Sequence, residues 1–276
     1  MRKNTFYAVL AIAILTITSC TKDKLVIDTP VLDYVQIPDA KFEQELINLG
    51  IDSDGIVNQK VLRSEAQSVE RLNIYNSDID DLTGIEAFIN LKRLHAQGNS
   101  LVTVDLSKNV LLDTIKLFSN LLIEVKGLSA ATNLKYLSLS YNYLTEFTIE
   151  NPSLVSLLIE TNDLTSLDAT LAVNLEGLLV FSNKLETADF SNNLKLTVLR
   201  IADNKLTNLT LGQKEDLSYL SCSDNLLTDL DLSNFDNLVT LYAHSNPGLT
   251  CIKIKSGQNI LTQELSAYQE LNTDCN

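Results

Sequence analysis

Two histidines, four cysteines and a recurring aspartate are the residues of this 276-residue chain whose types could do chemistry. His95 and His244 could each serve as a general base or a metal ligand. Cys20, Cys222, Cys251 and Cys275 could be nucleophiles, ligands or disulfide partners, with three possible pairings. Asp105, Asp168, Asp189 and Asp231 share one slot of a repeating pattern and read as a solvated edge, a ladder of cations along them being the alternative. Asp52-Ser53-Asp54-Gly55 is like part of a calcium loop, but counting from Gly50 puts Val61 where the closing carboxylate must stand, so a turn is expected. The chain holds no GxGxxG, phosphate loop, HExxH, CxxC or GxSxG. These absences predict no catalytic residue, no metal and no cofactor. With 21 Lys and Arg against 35 Asp and Glu, the net charge of -14 disfavours phosphate backbones, so no nucleic-acid partner is expected.

Whether any of these groups can meet depends on the elements that carry them. Leucine (51 residues) and asparagine (26) dominate the chain, and both follow one pattern, LxxLxLxxNxL. It starts at Val69, Leu91, Leu112, Leu134, Leu154, Leu175, Leu196, Leu217 and Leu238, at intervals of 22, 21, 22, 20, 21, 21, 21 and 21. The fourth and sixth positions are apolar in all nine copies, which is strand periodicity with two side chains turned inward. The ninth is Asn99, Asn120, Asn142, Asn162, Asn183, Asn204, Asn225 and Asn246, with Ser77 in the first copy. An asparagine there turns the chain out of the strand and satisfies backbone groups buried by the turn. His95 and His244 lie seven copies apart, roughly 30 Å at the spacing of stacked strands, and cannot share a site.

Over residues 69–250 this pattern resembles the leucine-rich repeat family. The resemblance implies a repeat solenoid with a parallel β-sheet on its concave face. Second halves such as Leu101–Ser107 and Leu164–Ala169 fit extended or turn-like return arms, as in the internalin-like bacterial subclass. One repeat cannot bury its own apolar edge, so the stack needs caps. An N-terminal helical cap is expected within 37–68, where Asp39 precedes Phe42, Leu46, Ile47 and Leu49 on one face and Gly50 ends the run. The stretch IPDAKFEQELINLGIDSDGIVN also resembles the segment before such repeats in secreted Bacteroidota proteins.

Met1, Arg2 and Lys3 open an apolar run from Phe6 to Ile17, a leader too short to span a bilayer. Ile17-Thr18-Ser19-Cys20 resembles the lipobox of bacterial lipoproteins. That resemblance implies a leader over 1–19, an acylated Cys20 beginning a tether over 20–36, and localisation on the envelope, at the outer membrane, facing either the exterior or the periplasm. The mature charge of 19 minus 35, or -16, leaves the membrane contact to the lipid. With Cys20 so committed and Cys222 in an inward slot, Cys251 and Cys275 remain to staple a C-terminal cap over 251–276.

The outward third, fifth and seventh positions define the candidate site. Phe118, Tyr136, Leu158, Leu179, Phe181 and Tyr219 form an apolar and aromatic group there, with Val198 beside them, and Arg93, Lys116 and Arg200 add positive charge. The expected function is a membrane-anchored, non-catalytic binding module for a protein or peptide. A glycan ligand is the alternative within the binding class, and a structural envelope spacer without a soluble ligand is the alternative outside it.

Overall fold

The inward leucines draw the chain into ten stacked coils in the computed structural model, which describes residues 32–275; the leader, Cys20 and tether residues 20–31 lie outside the described residues. Each coil contributes a three-residue strand to one parallel sheet, running from Arg71–Asn73 in coil 1 to Tyr242 in coil 9 and Thr262–Glu264 in coil 10. The register is constant: Leu72 opposes Leu94, Leu94 opposes Ile115, Ile115 opposes Leu137, and so on to Leu241. These fourth-position side chains, and those at the sixth, are sealed from solvent in coils 1–9. Burying one leucine contributes about 1.5–3 kcal/mol, and the stack repeats that gain in every coil.

The tenth strand is an element the repeat pattern does not reveal. It pairs Thr262 with Thr240 in register, although Gln263 stands where an inward leucine would be. Gln269 there takes the asparagine's part, its Nε2 donating to the carbonyl of Ala243 at 3.0 Å. Among the described residues its fourth position is exposed, which suits glutamine.

Helix Ala40–Asn48 covers coil 1, with Phe42 buried 6.2 Å from Phe88 between ring centroids. Asp39 caps it, accepting from the backbone of Lys41 and Phe42, and its second oxygen accepts from Asp80 and Asp81. Burial acts to raise the Asp39 carboxyl, but these four N–H groups hold it below the usual carboxylate range. Leu49 does not share the apolar face; it is exposed, whereas Glu43 is buried and accepts from the backbone of Asn58, Gln59 and Lys60. Asp52–Gly55 forms a turn in which Asp54 accepts from the backbone of Ile56. At the other end Cys251 and Cys275 form a disulfide. Closing a loop of 24 residues stabilises the terminal coils by about 3 kcal/mol.

The return arms follow a different rule from the front sheet. Their short strands pair two by two: Thr103–Asp105 with Glu124–Lys126, Glu146–Thr148 with Ser166–Asp168, and Thr187–Asp189 with Asn208–Thr210. No ladder joins one of these three pairs to the next, but at the C-terminal end Cys251–Lys253 pairs with Glu270–Asn272 and is bridged to Asp231, so the arms of coils 8 to 10 are joined. Single 3-10 turns, Ile85–Ala87 and Leu128–Ala130, occur in coils 1 and 3, the two coils of 22 residues.

Candidate binding surface

Three rows of side chains stand outward on the front sheet, and alternation along each strand places them there. Phe118, Tyr136, Leu158, Leu179, Phe181 and Tyr219 are half-buried, packed against their neighbours in adjoining coils. The Arg200 guanidinium lies 4.7 Å from the Phe181 ring centroid, and the Lys116 ammonium lies 5.9 Å from that of Tyr136. Such pairs join each cation to the neighbouring coil's ring. Tyr219 and Tyr242 pair at 5.8 Å. Arg93 is exposed at the N-terminal side, 3.9 Å from Asp113.

Beneath this layer lies polar chemistry that alternation alone does not disclose. The seventh positions of coils 3 to 6 read Phe118, Ser140, Glu160 and Phe181. Glu160 is only 9% exposed, and its Oε2, the Ser140 hydroxyl and the Gln97 Oε1 have no hydrogen-bond partner among the described residues. A buried carboxylate oxygen without a donor is costly. Burial and the neighbouring Glu160 raise the Tyr136 phenol above its ordinary value, against a hydrogen bond with Ser138. The ring therefore stays neutral and hydrogen-bonding at any physiological pH.

The residues singled out for chemistry fall apart in space. His95 is in coil 2 and His244 in coil 9, on opposite sides of seven strand intervals. Burial, then Lys116 and Arg93, lower the His95 imidazole, so it adds no positive charge at neutral pH. Burial pushes the Cys222 thiol up to about 12, far from the reactive range. Asp105, Asp168, Asp189 and Asp231 each accept from the backbone N–H two residues on, at 2.8–2.9 Å, closing the turn at the end of the return arm. Among the described residues no three His, Cys, Asp or Glu side chains gather as a metal site.

The asparagines work behind the face. Asn162, for example, donates from Nδ2 to the carbonyls of Leu139 and Ile159 and accepts from the Leu144 N–H, so one side chain ties two coils. The residue before it is always left-handed: Asn76, Ser119, Tyr141, Thr161, Ser182, Asp203, Asp224 and Ser245 have φ between 53° and 57°, and Gly98 has 70°.

No family model and no curated protein matches the chain. Solved structures do. The functional domain of InlJ from Listeria monocytogenes superposes with a TM-score of 0.63 at 25% identity over 87% of this chain and 63% of that one. The APL1 leucine-rich repeat domain gives a TM-score of 0.64 at 22% identity over 76% of this chain and 59% of that one. The chain has the leucine-rich repeat fold. It spans about three-fifths of the length of each of these two structures. Leucine-rich repeat sheets typically act as protein-interaction surfaces, and the aromatic and cationic rows stand on that sheet here.

Proposed function

We propose that this leucine-rich repeat protein is a non-catalytic binding module that takes a protein or peptide on its front sheet. The observation that carries this reading is the packing of Arg200 on Phe181 and Lys116 on Tyr136 across adjacent coils. Half-buried aromatic rings near the middle of a face, with an exposed arginine laid on one of them, are the composition of interface anchors. Phe118, Leu158, Leu179 and Tyr219 extend the apolar centre, and Arg93 orients an acidic or carbonyl-rich portion of the partner. A protein ligand fits better than a glycan because the Tyr219 and Tyr242 rings, tilted by 54°, offer no flat platform for a sugar.

The protein is exported and held to the bacterial envelope by a lipid on Cys20, facing outward. The Cys251–Cys275 disulfide supports an oxidising compartment. Among the described residues no helix is long and apolar enough to cross a membrane.

A photo-crosslinking residue in place of Phe181, on intact cells, tests both parts. The expected result is one defined adduct, absent when the crosslinker replaces the exposed Leu194 and lost with Phe118→Ala/Tyr136→Ala in a chain whose circular dichroism is unchanged. Cys20→Ala should release the protein from the cells. Equal labelling from positions 181 and 194, or an indifferent double variant, would leave a spacer as the better reading.

A further inference from the structure

A wide groove opens on the back, between coils 3 and 4. It measures about 600 Å³ and runs between Glu124–Lys126 and Glu146–Thr148, against about 260 Å³ at the break between coils 5 and 6. Its origin is a mismatch in length: coil 3 has 22 residues and a 3-10 turn, coil 4 has 20, so their return arms cannot run flush.

Each bordering strand is paired on one side only, with Thr103–Asp105 and with Ser166–Asp168 respectively. Two strand edges therefore face the groove with no ladder between them. Open edges bind extended chains by main-chain hydrogen bonds. The rim is acidic: Glu124, Glu146 and Glu150 line it, and Lys126 is held by Glu124 at 3.2 Å. Val125 and Phe147, half-buried at the middle of the two strands, supply an apolar floor. At the flank Ile123 and Tyr143 are 59% and 53% exposed, linked through the bond from Tyr143 N–H to the Leu122 carbonyl.

We propose that this groove accepts an extended, basic stretch of a partner polypeptide as an added strand, its backbone bonded to the open edges and its lysine or arginine side chains set against Glu124, Glu146 and Glu150. The site lies on the opposite side from the front sheet, so it stands whether or not the front-face reading holds.

The test is fluorescence polarisation of a labelled peptide of alternating lysine and valine titrated with the whole protein. Saturable binding is expected below about 1 mM, weakened at least about tenfold by N-methylation of the peptide backbone, which leaves its charge intact. Glu146→Lys/Glu150→Lys should weaken it by a similar factor, and a peptide of alternating glutamate and valine should not bind. Phe118→Ala/Phe181→Ala should leave it unchanged, which separates this site from the front face. Slowed amide exchange in Glu146–Thr148 on peptide addition would place the strand. No saturation at 1 mM, indifference to N-methylation, or loss of binding in the front-face variant would each overturn the proposal. Dimerisation abolished by Glu146→Lys/Glu150→Lys would overturn it too, by giving the groove to a second copy of the chain.

Discussion

The front sheet and the return arms are made by the same coils, yet one counts in ones and the other in twos. On the front, every coil pairs with the next and every asparagine from Asn99 to Asn246 makes bonds to two coils. On the back, a second asparagine set occurs in alternate coils only: Asn109, Asn151 and Asn193, at intervals of 42 residues. Each donates to two carbonyls of the coil before, Asn109 to Ile85 and Phe88, Asn151 to Leu128 and Ala131, Asn193 to Ala169 and Ala172. Those are the places where the arm ladder is missing, so the amide stitches the breaks. A solenoid can thus satisfy its backbone by strand pairing or by side-chain amides, and coils 1 to 6 alternate between them, whereas Lys214 and Gln258 add side-chain stitches where arm strands already meet.

The largest test of that contrast compares Asn162→Ala with Asn193→Ala in urea. Asn162→Ala leaves the buried Leu144 N–H unpaired and takes one of two amide donors from the Leu139 and Ile159 carbonyls, which keep Asn142 and Asn183, and should cost about 2 kcal/mol. Asn193 already has a buried Oδ1 without a partner, and the Ala169 and Ala172 carbonyls keep the N–H groups of Ala172 and Leu175, so Asn193→Ala orphans no backbone group and should cost about 1 kcal/mol. Equal losses would show that the back amides matter as much as the front ladder.

Lys214 sharpens the comparison next. It takes the slot after Asn193, is 1% exposed, and donates from Nζ to the carbonyls of Phe190 and Asn193. Burial lowers its amine from 10.5 to about 8, against the attraction of Asp189. Between about pH 8 and 10.5 the unfolded chain holds a proton that the folded chain has released, so stability should rise with pH through that window. Gln258 fills the equivalent slot in coil 9 with two carbonyl bonds and no charge. Lys214→Gln should therefore stabilise by about 1 kcal/mol at pH 7 and lose the rise, read as urea midpoints from pH 7 to 10.

The smallest expected effect lies at the left-handed turn between the two faces. Thr161→Asn relieves a branched side chain at φ of 55° and should stabilise by about 0.5–1 kcal/mol in thermal melts. The same change at Ser182 should do less, because serine is unbranched.

How much of this was legible depends on the period. The inward leucines, the front asparagines and the outward rows follow from one 21-residue pattern, because each slot has one environment in every coil. The back asparagines were equally regular, but a search at 21 residues hides a spacing of 42. Glu43 and Lys214 read as surface charges because nothing local marks them as buried; their backbone partners lie 15–17 and 21–24 residues away. Within the candidate site, alternation placed Phe181 and Arg200 on the same face. Their stacking, and the burial of Glu160 and Ser140, arise from packing between coils that no single repeat encodes.

The two-coil rhythm of the arms also bears on how such a chain grows. Copying one coil would set two stitching amides in neighbouring layers, or none, and leave an arm without its mate. Copying two preserves both faces at once. Through coils 2 to 6 the unit that repeats without disturbing either face is the pair, a step of 42 residues.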